Sequence, residues 1–133
     1  MKKILVAYDG GEPGGRALNL AAELAHAFGA RVDVVSVVPE GFDRVGSGRE
    51  EPAIVHAREL VEARALLREH GLDAGLIEPS GDPAMTIERL AGEGGYDTVI
   101  VGSSRAVSAG TQWTETVSAH VASNAPTTVI VAH

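Results

Sequence analysis

The chain has no cysteine. That excludes a disulfide scaffold, thiol catalysis and a thiolate zinc site, and it fits a cytoplasmic protein. Aromatic residues are scarce, and the single tryptophan, Trp113, reads as core packing or a subunit contact rather than a platform for stacking bases. Positive charge is in deficit, with 11 basic residues against 18 acidic ones and a net charge of -7. Nucleic-acid binding rests on a basic footprint, which this chain does not offer. No apolar run approaches the ~20 residues of a membrane span. The opening MKKILVAYDGG is too short in apolar residues for a signal peptide and reads as a first strand.

Known motifs are missing as well. The glycines near the start form neither a Walker A loop nor a GxGxxG fingerprint. No serine stands with a histidine and an aspartate in a hydrolase pattern. His26, His56, His70, His120 and His133 show no metal-ligand spacing, and the expectation for them is a solvent-facing or helix-end role.

What is present is an alternation. Five apolar, β-branched runs occur at 3–8, 31–38, 72–78, 96–102 and 127–133. Four of them are nearly continuous in Val, Ile, Leu and Ala, as in strands buried on both faces of a parallel sheet. Helical patterns lie between them. Over 14–28, Ala17, Leu18, Ala21, Leu24, Ala25 and Phe28 share a face, and Gly29 stops the helix. Over 53–70 the face is Ile54, Ala57, Leu60, Val61 and Leu67, ended by Gly71. Over 83–92, Asp82 is the N-cap and Pro83 the first helical residue. The last helix covers 113–124, with Val117 and Val121 one turn apart. Repeated strand–helix alternation in 133 residues indicates one α/β domain with a mainly parallel sheet and right-handed crossovers. Residues 39–52, rich in Gly, charge and Pro, read as a surface loop.

Two stretches offer chemistry. In AYDGGEPGGRAL (7–18) a buried strand ends at Asp9, glycines Gly10 and Gly11 turn the chain, and a helix opens near Pro13. Ligands of open α/β sheets sit beyond the carboxyl ends of strands where the topology reverses. Asp9 is placed there to accept hydrogen bonds; equally, it can simply build the turn. In PSGDPAMTI (79–87), Gly81, Asp82 and Pro83 are accounted for by a turn and a helix start.

Taken together, KILVAYDG, the D-G-G-E turn into the first helix, G-D-P before the third, D-T-V-I-V-G-S before the long loop and A-P-T-T-V-I-V at the end resemble the universal stress protein family. The resemblance covers essentially the whole chain. It implies a Rossmann-like open sheet of five parallel strands in order 3-2-1-4-5, helices on both faces, and a switch point where Asp9 and Gly102 meet. ATP-binding members carry G-x2-G-x9-G-S/T after the fourth strand. The acid after the first strand and the main chain ending the second (here Asp9 with Gly10, and Val37) hold the nucleoside, while Gly81 borders the same end. On this spacing the glycines fall at Gly102, Arg105 and Glu115, and the hydroxyl residue at Thr116, with Ser103 following the first glycine.

Two of three motif glycines are therefore replaced. Glycine serves where the backbone must touch phosphate. Arg105 adds bulk although its guanidinium binds anions, and Glu115 repels a triphosphate. Pairing of Arg105 with Glu115 would fill the ligand's space. The expectation is a cytoplasmic regulatory protein of the stress response, not an enzyme, without tight ATP binding. The alternative is ATP with magnesium held by a phosphate loop rebuilt over 102–116. Neither a catalytic residue nor a resident metal is expected. The terminal run 127–133 is an apolar edge strand in the family order, which needs a cover, and the resemblance implies a homodimer through it.

Overall fold

The computed structural model describes residues 1–38, 52–103 and 113–133, with the side chains of 52–53 and 113–116 outside the description. Strands and helices alternate as β1 (Lys3–Ala7), α1 (Glu12–Phe28), β2 (Arg31–Val35), α2 (Pro52–Glu69), β3 (Gly75–Ile77), α3 (Pro83–Glu93), β4 (Thr98–Gly102), α4 (Trp113–Asn124) and β5 (Thr128–Ala132). The sheet order is β3-β2-β1-β4-β5, and every described pairing is parallel. Val6 at the centre of β1 is opposite Val34 of β2 on one side and Ile100 of β4 on the other. Such a strand has no solvent face, which is why its sequence does not alternate.

Two apolar layers cover the sheet. Ile4, Val6, Val32 and Val34 pack under Ala17, Leu18, Ala21 and Ala25 of α1 and Leu60, Ala63 and Leu67 of α2. Leu5, Ala7, Val35, Val37, Val99 and Val101 pack under Ala84, Ile87 and Ala91 of α3 and Val117 and Val121 of α4. The expected stops are in place. Gly29 caps α1 in the left-handed region with φ 65°. Gly71, at φ 77°, follows α2 while the Leu72 N–H returns to the Leu67 carbonyl at 2.9 Å. The Asp82 carboxylate accepts the Met85 N–H at 2.9 Å with Pro83 in the first turn.

The face expected for the second helix is corrected. Ile54 and Val61 are 50% and 54% exposed, Ala57 is also exposed, and Ala63 takes a core position that the expected face lacked. The working face runs through His56, Glu59, Leu60, Ala63 and Leu67. Toward its start, α2 passes beyond the sheet to the polar ends of β1 and β2, where an apolar face has nothing to bury against. Phe28 is likewise 59% exposed, at the last turn of α1.

The amino ends of the strands are tied by polar contacts. Asp33, 4% exposed, accepts the Tyr96 hydroxyl at 2.6 Å, and Arg31 approaches its other oxygen at 3.4 Å. Gly75 has no Cβ where the Asp33 carboxylate passes. Burial, then the bond and charge of Asp33, push the Tyr96 hydroxyl well above its ordinary pKa. Lys3 holds its ammonium over the Tyr96 ring, 4.5 Å from the centroid, and donates to the Gly94 carbonyl at 2.6 Å. Asp97 accepts the Lys2 and Lys3 amides at 2.7 and 3.2 Å. Tyr96→Phe keeps the ring and deletes the donor to Asp33. The expected cost is about 1–3 kcal/mol, seen as a lower urea midpoint with an unchanged slope.

Candidate functional site

The other edge of the sheet is built differently. The Tyr8 N–H makes the last β1–β2 contact, to the Val35 carbonyl at 2.9 Å, and the chain then turns away. Asp9 accepts the Gly11 N–H through Oδ1 at 3.1 Å. Gly10 has φ +83°, a region where a side chain is strained. The first turn of α1 then settles against this bend. A Cβ on Gly14 would meet the Tyr8 ring at 2.8 Å and Asp9 Oδ1 at 3.0 Å. Asp9 thus spends one oxygen on the turn, and Gly11 begins the helix without a side-chain cap.

β4 ends beside β1. Gly102 lies against the main chain of Pro13 so closely that a Cβ there would overlap it. Ser103 donates its N–H to the Ala132 carbonyl at 2.7 Å and accepts from the Arg16 guanidinium at 3.3 Å. On the other side, β2 extends toward β3: Ser36 N–H reaches the Ile77 carbonyl at 3.0 Å, Val38 N–H the Pro79 carbonyl at 2.8 Å, and Gly81 N–H the Val38 carbonyl at 3.0 Å. In a parallel strand the main-chain groups of successive residues point to opposite sides. Since Ser36 and Val38 face β3, the N–H and C=O of Val37 face the β1 side, past the point where β1 has turned off. The Val37 side chain is core, 1% exposed.

Of the site residues read from the sequence, Asp9, Gly10, Val37, Gly102 and Ser103 come together at this carboxyl edge. Gly81 is on the same edge but is explained locally: with φ +145° it turns into α3, where a Cβ would meet Thr86 Oγ1 at 2.8 Å. Arg105 lies outside the described residues, as do the 39–51 segment, the side chains of Trp113, Glu115 and Thr116, and any pairing of Arg105 with Glu115.

The sequence reading missed a cluster behind Gly10. A Cβ on Gly10 would meet Glu59 Cδ at 3.0 Å, so α2 lays this carboxyl directly on the turn. The Glu59 and His56 side chains are each only 15% exposed, with His56 Nδ1 3.6 Å from Glu59 Oε2. Ser36 Oγ is 2.5 Å from His56 Nδ1. Glu59 Oε2 is buried without a hydrogen-bond partner. Burial is the main cause that raises the Glu59 carboxyl to about 7; the Asp9 and Glu62 charges add to it, and the Ser36 hydrogen bond works against it. Burial also lowers His56, opposed by the charges of Glu78 and Asp9. His56, which burial holds toward its neutral form, is no ion-pair partner for Glu59 near neutrality, whatever their separation. Burial, then Glu62, Glu59 and Asp9, raises the Tyr8 hydroxyl. His56 therefore departs from the solvent-facing role expected of it. The signal was available: Ser36 follows Val32 and Val34 on one face of β2, and His56 and Glu59 continue the Ala63–Leu67 face backwards. Among the described residues no three His, Asp or Glu side chains converge as metal ligands.

A folded pKa near 7 for Glu59, above the unfolded value, means the native state holds the extra proton. The stability this provides is complete below the unfolded carboxyl pKa and is lost as pH rises through about 7. Glu59→Gln mimics the neutral form. The variant is expected to melt above the parent at alkaline pH, by on the order of 1–3 kcal/mol, and to match it in mild acid. Melting curves across the interval check this; an equal difference at both ends would place no titration at Glu59.

The comparisons agree on one architecture. The profile of the Universal stress protein family matches residues 1–133. A universal stress family protein from Burkholderia pseudomallei is 27% identical, with a TM-score of 0.73 over 98% of this chain and 94% of that one. The Archaeoglobus fulgidus universal stress protein in complex with dAMP is 24% identical, with a TM-score of 0.80 over 100% and 98%. A universal stress protein in complex with cAMP is 22% identical, with a TM-score of 0.74 over 99% and 96%. A search of curated proteins found no match.

Proposed function

The chain belongs to the universal stress protein family, and from that premise we propose that it is a cytoplasmic, non-catalytic regulatory protein of the stress response. Its crevice takes the nucleoside end of an adenylate and holds a triphosphate weakly. The observation that carries this reading is the carboxyl edge between β1, β2 and β4. There Asp9, which commits one oxygen to the turn, and the main chain of Val37 border the space left by the turn at Gly10. A carboxylate accepts from ribose hydroxyls, and an N–H beside a C=O matches the edge of a purine. The neighbouring folds that hold dAMP and cAMP carry ligands with a single phosphate, which support the same division. Beyond Gly102 the replacement of motif glycines by Arg105 and Glu115 disfavours the longer phosphate chain.

Melting curves with AMP and with ATP and magnesium separate the possibilities. A ligand a hundredfold above its Kd adds about 2.7 kcal/mol. At equal concentrations the AMP shift is expected to exceed the ATP shift, and Arg105→Gly with Glu115→Gly to raise the ATP response. An ATP shift in the parent at least as large as that of AMP would favour a rebuilt loop over 102–116. No shift with either would remove the nucleotide from the reading.

The protein is further proposed to act as a homodimer through β5. This strand is at the end of the sheet order, with Val129, Ile130 and Val131 only partly buried. The Ala132 carbonyl accepts from Ser103. By alternation, Ala132, Ile130 and Thr128 direct their main-chain groups to β4, and Val129 and Val131 direct theirs outward. Val131→Pro removes only an outward N–H. Sedimentation is expected to find a dimeric parent and a folded, monomeric variant; a dimeric variant would move the interface elsewhere.

A further inference from the structure

α2 brings a carboxyl to the turn where the sheet's ligand crevice opens, and nothing in the resemblance to the family assigned it a role. Glu59 rests on Gly10, one residue from Asp9. It is nearly buried, and one of its oxygens has no partner. Behind it, Ser36 and His56 are hydrogen-bonded at 2.5 Å. The groups that face it are Asp9 and Tyr8 from the end of β1 and its turn, Ser36 from β2, and His56 and Glu62 from α2, with Glu78 after β3 acting on His56. The surrounding charge is therefore negative, and the one base in the group is held neutral by burial.

We propose that Glu59 is a proton-controlled wall of the ligand crevice: its carboxyl must be neutral for an anionic nucleotide to be held beside Asp9, so occupation of the site is coupled to uptake of one proton. This rests on the reading of the crevice as an adenylate site. Asp9 stays on the surface of the turn as an acceptor, with Glu59 behind it as the titrating acid. When ionised, it adds a second negative charge within a poorly solvated corner, where repulsion of a phosphate is strongest. When protonated, it removes that charge and gains an O–H with which to donate. Burial raises its proton affinity enough for the change to fall near neutrality, and the ligand's charge raises it further, which is the linkage.

The test uses cAMP, whose phosphodiester keeps one negative charge across the range, so the ligand's own titration does not intrude. Calorimetry at about pH 6 and about pH 8, in two buffers of different ionisation enthalpy, reads affinity and proton uptake together. The expected result is affinity about tenfold higher at the lower pH, the ratio of the neutral fractions at those two pH values of a carboxyl with a pKa of about 7, with net proton uptake in the parent. Glu59→Gln is expected to bind with an affinity independent of pH and to take up no proton. Binding that does not change with pH in the parent overturns the coupling and leaves the adenylate site standing. A pH dependence that survives in Glu59→Gln also overturns it and points to His56. Absence of any cAMP binding at either pH overturns the site reading and the coupling with it. The ligand-free parent gives a readout that needs no variant: the Gly10 amide resonance is expected to titrate with a midpoint near 7. A Gly10 amide that is flat across neutrality overturns the placement of the titrating group.

Discussion

Where β4 ends, Gly102 sits on the main chain of Pro13 with no room for a side chain. That contact sets how near the first turn of α1 can come to the sheet. Gly14 allows the same helix to rest on Tyr8 and Asp9. Between them, the two glycines fix the start of α1 relative to both β1 and β4, and so the depth and orientation of the crevice between them. A glycine at 102 is therefore needed for packing whether or not phosphate ever touches it. Its presence alone does not call for a nucleotide.

The corner behind Gly10 follows from how α2 leaves the sheet. From Leu67 back to Leu60 the helix covers apolar strands. One turn earlier it has passed the end of β1, and His56 and Glu59 stand over Ser36 and the turn instead. Their proton affinities move in opposite directions for one reason, since burial penalises whichever form carries charge. A neutral pair in a corner of acidic side chains is the electrostatically cheapest state. Any anion that enters acts on that balance.

The architecture was legible because the central strands β1, β2 and β4 are buried on both faces and α1 and α2 each end at a glycine. The order of strands came from the family resemblance, and the observed sheet matches it. Elements begin or end within a few residues of expectation: β2 is shorter than the apolar run 31–38 because β1 turns off at Gly10 and leaves Val37 without a neighbour. Asp9 and Gly10 could be placed at the carboxyl edge from the end of the first strand; Val37, Gly102 and Ser103 joined them through the strand order and motif that the resemblance implies. The roles of Ser36, His56 and Glu59 were only partly signalled. His56 and Glu59 stand at helical spacing with Ala63 and Leu67, but apolar periodicity favours Ile54 and Val61, and only the point at which α2 overruns the sheet decides against those two. Gly81 shows the reverse: a motif residue whose turn and helix start account for it.

The polar ties gather at one end of the strands. Asp97 grips two amides of the incoming chain, Lys3 spans to Gly94, and Tyr96 reaches Asp33, while the opposite end is held by glycine-lined contacts, main-chain bonds and the Ser36–His56 and Arg16–Ser103 hydrogen bonds. Such a domain resembles a book bound along one spine. Pages can be rewritten at the loose margin without disturbing the binding, and exchange of sequence there alters what the crevice accepts while the register of the sheet is inherited unchanged.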